Sequence, residues 1–397
     1  MVFLNFQPVI YTPSYQYRPI LFILLLLCIY FPARAQTDSI SPKTDSVPPK
    51  KVSKFDKFNK KAEALFKIIP VPLYSYTTEA GHIVGLAKYN LLHFSKKDTI
   101  SKPSKLSEVF TVSSNGRINA SVSTEMVLKE NKYVIMSYVN YKKQPEYLYG
   151  IGNDISEDVF EEVQYSRFQF SATGLRQWFK NFYAGPAITI SDYFSVQPDS
   201  NSFLIRDNVP GLEGGFSFGV GISTAFDNRD SRYNPSKGAY AISTVLYHPA
   251  FLGSAYQYTR LDIDLRKYFN PWLKHVIAIQ ATTTFTHGDV PFYELAEMGG
   301  DSKMRGYYMG AYRDNVLVDG QLEYRAPIWN IFGATAWVGT GRVADSYSDL
   351  SLDGFHLSYG LGIRIRVDSK NNTNLRFDMG FGPGNWRGFY INFAEAF

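Results

Sequence analysis

Apolar and polar residues alternate with a period of two along most of the chain after Pro70. In the segment YGLGIRIRVD, Leu361, Ile363, Ile365 and Val367 fall on one face, and glycine, arginine or aspartate residues fall on the other. Successive side chains of a β-strand point to opposite sides, so this pattern predicts strands with one apolar face. The segments TRLDIDLRK and NLRFDMGF repeat it. These runs are longer than the five or six residues typical of strands in globular proteins.

The alternation predicts sixteen strands, an even number, as closure of an antiparallel bacterial barrel requires. Short connections such as KENK and FKN alternate with long ones, which is the known asymmetry of such barrels; residues 95–105 and 114–117 fit it imperfectly. We therefore predict an all-β, sixteen-stranded antiparallel transmembrane β-barrel over residues 71–397; a soluble periplasmic β protein is the alternative. The strands are expected at 72–78, 83–94, 106–114, 117–128, 132–143, 164–177, 182–196, 215–227, 238–248, 256–269, 275–287, 315–327, 332–343, 355–367, 373–382 and 388–397.

The segment before the barrel carries export signals. Arg18 precedes an apolar run of about a dozen residues, shorter than the ~20 that a membrane-spanning helix needs. Ala33-Arg34-Ala35 then fits a cleavage site, so residues 1–35 are predicted to be a signal peptide cleaved after Ala35. Residues 36–70 are predicted to be a periplasmic linker with a short amphipathic helix at 55–69, which either lies against the barrel or serves as a plug or docking helix.

Composition narrows the class of protein. The only cysteine, Cys28, lies in the predicted signal peptide, so no disulfide or thiolate metal site is expected in the exported chain. The formal net charge of +5 falls to +3 without that segment, which does not predict nucleic-acid binding. Aromatic residues make up 16% of the chain, as expected for the aromatic girdles of a barrel in contact with outer-membrane lipid, and Trp178, Phe179 and Phe182 fit such a girdle.

The last ten residues, GFYINFAEAF, continue the alternation to the final aromatic residue. Phe389, Ile391, Phe393 and Phe397 are predicted to share the outward face, which only Glu395 would interrupt. This arrangement is similar to the terminal strand signal by which the barrel assembly machinery recognises outer-membrane barrels. The predicted location is therefore the cell outer membrane.

Three motifs resemble those of the BamA/TamA-like surface antigen superfamily of sixteen-stranded barrels. They are the loop motif Met304-Arg305-Gly306-Tyr307, the turn FDNRDSRYNPSKGAY with Asp227, Arg229, Asp230, Pro235 and Gly238, and the segment Tyr149 to Asn153. Their order and strand positions fit the family over residues 70–397. The resemblance implies that the long loop between the eleventh and twelfth strands folds into the lumen, where Arg305 meets acidic groups on the wall.

Strand parity makes Glu323 and Asp378 the candidate partners of Arg305, and Glu323 is favoured. The family commonly supplies an acidic residue from strand thirteen, whereas this chain has Gly339 there. Arg305 would either stabilise the loop or take part in gating. The family's assembly members also carry amino-terminal polypeptide-transport domains, for which the 35 residues from Gln36 to Pro70 leave no room.

The resemblance implies a barrel that assists outer-membrane protein assembly, insertion or translocation with periplasmic or outer-membrane partner proteins. A passive pore or small-solute transporter and a structural surface antigen are the alternatives. No enzymatic activity is expected, because the match to G-x-S-x-G at Ser217 lies within a strand instead of a strand-to-helix turn. The acidic run at Glu157, Asp158, Glu161 and Glu162 lacks regular ligand spacing, so no metal or cofactor is predicted.

Overall fold

A computed structural model describes residues 70–77, 81–92, 94, 98, 100–369 and 372–397. The predicted signal peptide, the predicted amphipathic helix and the predicted linker up to residue 69 lie outside these residues. Within them, no helix has both the length and the apolar character needed to cross a membrane.

Sixteen antiparallel strands form one sheet in which each strand pairs with the next along the chain, and a separate two-stranded sheet lies in the longest loop. The predicted sixteen-stranded, nearly closed barrel is confirmed. The strands are β1 (Val71–Thr77), β2 (Gly81–Leu92), β3 (Ser104–Ser113), β4 (Ile118–Leu128), β5 (Tyr133–Leu148), β6 (Glu161–Phe179), β7 (Phe182–Pro198), β8 (Gly215–Asp227), β9 (Gly238–His248), β10 (Tyr258–Phe269), β11 (Val276–Gly288), β12 (Ala296–Met298), β13 (Tyr312–Asp314), β14 (Val316–Trp329), β15 (Phe332–Ala344), β16 (His356–Asp368), β17 (Thr373–Phe381) and β18 (Arg387–Phe393). One helical turn, α1 (Phe203–Arg206), and 3-10 turns at Ala250–Leu252, Phe292–Glu294 and Tyr347–Asp349 lie in loops.

The two faces of the sheet have opposite polarity. In β16, the apolar residues Leu361 and Ile363 are 67% and 56% exposed, whereas Ser358 and Arg364 on the other face are buried. A soluble β protein would place its apolar face inward, so this pattern favours the transmembrane barrel over the soluble alternative. We call the side with the exposed apolar residues the outer face and the other side the polar face.

The connections differ between the two ends of the sheet. At the end that carries residues 70 and 397, called the terminal end, β4–β5, β6–β7 and β14–β15 are joined by four, two and two residues. At the opposite end, called the loop end, residues 289–315 join β11 to β14. The predicted alternation of short and long connections therefore holds, with the turn 228–237 as the longest connection described continuously at the terminal end.

The first and last strands, β1 and β18, lie next to each other and have seven residues each. The ladder of paired strands runs from β1 to β18, but no register joins these two among the described residues. This junction is called the seam.

The prediction that the last strand extends to residue 397 is wrong. β18 ends at Phe393, because Ala394 adopts a left-handed φ of 66°. Phe397 is buried and packs near Tyr268, so it does not lie on the predicted outward face. Phe393 stacks on Tyr89 and lines a cavity together with Arg229, so it does not share that face either. Glu395 also points away from the outer face, since its Oε2 accepts a hydrogen bond from Arg364 Nε at 2.7 Å. Recognition of the terminal strand by the assembly machinery stays a prediction.

The outer face can be tested with Ile363→Arg, near the middle of β16. If this face contacts lipid, the arginine should lower the free energy of unfolding in phospholipid vesicles by about 2–4 kcal/mol. Leu357→Arg, on the same face near the strand end, should cost about 0–1 kcal/mol. Equal costs in denaturant titrations followed by tryptophan fluorescence would contradict a lipid-facing surface.

Candidate functional site

The loop 289–315 is packed instead of solvated. Its two short strands pair from Ala296↔Asp314 to Met298↔Tyr312, and this hairpin was not predicted. Met304, Tyr307 and Ala311 are nearly fully buried in an apolar cluster that includes Leu317 of β14 and Val343 of β15. Burial of this size fixes the path of the loop against the sheet.

The backbone of the motif Met304-Arg305-Gly306-Tyr307 touches the backbone of β17. Gly306 has φ 118°, and a Cβ atom there would lie 2.7 Å from backbone atoms of Phe381. A Cβ atom on Gly380 would lie 2.6 Å from the carbonyl carbon of Arg305. Both positions therefore require glycine.

Hydrogen bonds hold the same motif to the neighbouring strands. The Arg305 carbonyl oxygen accepts a hydrogen bond from Ser358 Oγ at 2.6 Å, and Gly306 N donates to Tyr390 Oη at 3.0 Å. Tyr307 Oη donates to the Leu357 carbonyl oxygen at 2.9 Å. The motif thus contacts β16, β17 and β18 through its main chain and one phenol.

The Arg305 side chain is fully buried on the polar face. Its Nη1 donates to Asp378 Oδ2 at 2.8 Å, and its Nη2 donates to Glu323 Oε2 at 2.6 Å. Gln321 Oε1 lies 3.3 Å from Nη2, and the guanidinium carbon lies 3.7 Å from the centre of the Trp337 ring. The guanidinium therefore contacts both candidate carboxylates, of which only Glu323 was favoured.

These carboxylates belong to a larger network of buried charges. Asp378 also accepts hydrogen bonds from Arg364 at 2.6 Å and Arg376 at 2.8 Å, and Glu323 accepts one from Arg325 at 2.7 Å. Glu395 pairs with Arg364, and Asp301 lies 3.6 Å from Arg376. Four arginines thus face four carboxylates, which limits the cost of burying any one charge.

The acidic residue that the family places in strand thirteen is absent. Gly339 lies in β15 opposite Gln321, and β15 supplies the ring of Trp337 to the guanidinium instead. An aromatic face attracts a cation without needing a counter-charge. Both charged partners therefore come from β14 and β17.

A second ion pair holds the loop from another direction. Arg313 Nη2 lies 2.6 Å from Glu146 Oε1 of β5, and Glu146 also accepts a hydrogen bond from Tyr165 of β6. Glu297 lies 3.5 Å from Arg313, and burial raises the pKa of the Glu297 carboxyl although Arg313 opposes that shift. The loop is therefore attached both to β14–β18 and to β5.

The predicted turn motif forms a compact structure at the terminal end. Arg229 Nε and Nη2 donate to the two oxygens of Asp227 at 2.9 and 3.0 Å. A Cβ atom on Gly238, whose φ is 105°, would lie 2.6 Å from the Asn228 carbonyl oxygen. Glycine is therefore needed where the turn rejoins the sheet.

Asp230 organises the inside of this turn. Its carboxylate accepts hydrogen bonds from Ser236 N at 2.9 Å, Ser236 Oγ at 2.5 Å and Lys237 N at 3.2 Å. Burial raises the pKa of Asp230, but these hydrogen bonds outweigh it and hold the pKa below the usual value.

The turn and the loop motif are connected through two residues that were not predicted as site residues. Arg325 binds Glu323 and also donates to the Pro235 carbonyl oxygen at 3.3 Å. Glu395 N donates to the Tyr233 carbonyl oxygen at 3.1 Å, while its side chain reaches Arg364. Because Arg325 follows Glu323 by two positions in the same strand, strand parity could have placed both side chains on the same face.

Other candidate chemistry has structural roles. Ser217 is buried in β8, and its Oγ lies 3.5 Å from Tyr258 Oη. In the acidic run, Glu157 accepts a hydrogen bond from Asn385 N and Glu161 accepts one from Ser202 Oγ, so both tie loops together. Within the described ranges, no group of three or more His, Cys, Asp or Glu side chains could hold a metal ion.

Comparison with known proteins identifies the family. No match was found among curated protein sequences. The chain is similar to BamA from Haemophilus ducreyi lacking POTRA domains 1–3, with 15% identity and a TM-score of 0.49 over 81% of this chain and 68% of that chain. It is also similar to CdiB from Acinetobacter baumannii, with 14% identity and a TM-score of 0.48 over 80% of this chain and 58% of that chain. Residues 104–397, from β3 through β18, match the Omp85 superfamily domain, and the chain therefore belongs to this superfamily of outer-membrane β-barrels.

Proposed function

We propose that this barrel assists the assembly, insertion or translocation of other outer-membrane proteins, together with partner proteins. Membership of the Omp85 superfamily supports this function, because its barrels are generally transport and assembly proteins. The observation that carries the proposal is the seam, where the two seven-residue end strands of the sixteen-stranded sheet lie next to each other.

The seam has the properties of a strand-exchange site. β1 and β18 are short, and the left-handed Ala394 ends β18 after seven residues. When two such end strands separate, their edges can bind an incoming strand by β-augmentation. A client strand could therefore be templated there before it enters the bilayer.

The loop 289–315 would brace one side of this seam from inside the lumen. Arg305, Trp337 and the two carboxylates lie on the polar face, opposite the exposed Leu322, Val338 and Met379. Asn392 of β18 donates a hydrogen bond to Asp301 of the loop at 2.6 Å, and Tyr390 Oη of β18 accepts one from Gly306 N. These contacts support a rigid β18 that is held in place while the seam opens.

The contacts of the loop with the polar face favour an occluded barrel over a passive pore. Ser302 of the loop borders two cavities of about 300 and 250 Å³ among the described residues. Arg266 of β10 lines both cavities, and its charge is balanced by Asp264 at 2.5 Å.

The seam can be tested with a photoreactive amino acid at Tyr74, an exposed residue of β1. We expect Tyr74 to crosslink to pulse-labelled outer-membrane proteins, and the products to disappear during a chase as the clients complete insertion. The same probe at Leu361, exposed on β16 away from the seam, is the control. Equal yields at both positions, or no client product at Tyr74, would refute strand exchange at the seam.

Removing the central cation should destabilise the barrel. Arg305→Ala leaves two buried carboxylates short of a partner and should lower the free energy of unfolding by about 3–5 kcal/mol. Lys132→Ala removes an exposed cation that lies 3.4 Å from the exposed Glu130, and should cost about 1 kcal/mol or less. Similar losses for the two variants in urea titrations would show that the Arg305 network does not stabilise the fold.

Displacing the loop backbone should open the lumen. Gly380→Ala places a methyl group against the Arg305 carbonyl, whereas the methyl of Gly320→Ala would meet only the Gln280 carbonyl oxygen at an ordinary 3.4 Å. In planar bilayers we expect low conductance from the wild type and from Gly320→Ala, and larger, fluctuating currents from Gly380→Ala. A large steady current from the wild type would instead favour a passive pore.

A further inference from the structure

The connections at the two ends of the barrel carry opposite charge. At the terminal end, the described connections contain eight basic and three acidic residues, a net charge of +5. At the loop end, the described connections other than the packed loop 289–315 contain two basic and nine acidic residues, a net charge of −7. The basic residues at the terminal end are Lys102, Lys129, Lys132, Lys180, Arg229, Arg232, Lys237 and Lys274, and the acidic ones are Asp98, Glu130 and Asp230.

Part of the positive charge at the terminal end is not used within the protein. Arg229 and Arg232 pair with Asp227, and Lys102 donates to a backbone carbonyl. Lys129, Lys180 and Lys274, in contrast, are exposed on three separate hairpin turns. A solvated cation of this kind is available to an external anion.

Cations also stand beside aromatic rings on the outer face at this end. Arg176 lies 5.1 Å from the ring of Trp178, and Lys267 lies 5.4 Å from the ring of Phe269. The two residues of each pair are two positions apart near the terminal end of one strand, so both side chains lie on the outer face. Lys129 adds a third pair, 5.3 Å from the ring of Tyr133 in β5.

The tips of the same turns are apolar. Phe179 and Leu273 are 73% and 85% exposed, and Trp272 next to Leu273 is 52% exposed. Aromatic residues favour the membrane interface, where long basic side chains extend their charge toward the headgroups. Along each strand, an outward cation, Arg176 or Lys267, lies two positions nearer the middle of the barrel than its ring, and a lysine, Lys180 or Lys274, follows at the turn.

We propose that the terminal end of this barrel, from β5 to β11, is a binding surface for anionic phospholipid headgroups of the adjacent leaflet. The phosphates would bind Lys180 and Lys274 at the turns, and the long side chains of Arg176 and Lys267 would extend toward the same phosphates past the rings, which lie at the membrane interface. The acidic loop end cannot bind such lipids in the same way, so anionic phospholipid would favour one orientation and depth of the barrel. This inference is independent of the proposed assembly function, and either can fail alone.

The test uses the full chain in phosphatidylcholine vesicles that contain spin-labelled phosphatidylglycerol or spin-labelled phosphatidylcholine. We expect the wild type to associate preferentially with phosphatidylglycerol, and the preference to fall about two- to five-fold in Arg176→Gln/Lys274→Gln. Lys143→Gln/Arg387→Gln is the matched control, because it removes one exposed lysine and one exposed arginine from the loop-end half of the outer face. This control should keep the wild-type preference.

Arg176→Lys/Lys274→Arg retains both charges and should also keep the preference. The wild type alone supplies a further measurement, because screening by salt should reduce the preference as ionic strength rises. The proposal is overturned if the wild type shows no preference, if salt leaves the preference unchanged, or if both glutamine variants lose it equally. Heat-modifiable migration on gels verifies that each variant is folded.

Discussion

A guanidinium that cannot lose its proton and has no exposed surface must be matched by charge from the protein itself. Arg305 meets this condition only because Glu323 on β14 and Asp378 on β17 converge on it across two intervening strands. The position of the loop, the ring of Trp337 and the surrounding arginines all follow from this one buried cation. Because such a pair is costly to break and contributes little net stability, its main consequence is a unique position for the loop.

The network also couples two of the three motifs that carry the family resemblance. The loop motif and the turn around Asp230 lie at different levels of the barrel, yet Arg325 contacts Glu323 and Pro235, and Glu395 contacts Arg364 and Tyr233. The inward bend after Phe393 brings Glu395 into this position. The end of β18, the turn and the loop are therefore one connected structure beside the seam.

Much of the barrel could be predicted from the sequence, because lipid and a polar interior impose opposite requirements on successive residues. The prediction was less accurate where one of these requirements is absent. At the loop end, β5 extends to Leu148 and β6 begins at Glu161, beyond the predicted strand ends. Residues there, such as Glu161 and Gln164, do not form an apolar face. The local pattern GFYINFAEAF continues past Phe393, but contacts of Glu395 with distant arginines decide where the strand ends. Strand parity indicated Glu323 and Asp378, which contact Arg305 on the polar face. The role of Trp337 depends on three-dimensional packing that no local pattern contains.

The contact between Gly306 and β17 has a further consequence for how the sequence can change over time. At most interfaces a larger side chain can be accommodated by a neighbour that rotates or becomes smaller. Here two main chains meet at Gly306 and Gly380, and no rotamer can relieve a methyl group added to either. A substitution at either site therefore has no compensating change nearby, so these two positions stay glycine while other contacts of the loop can vary.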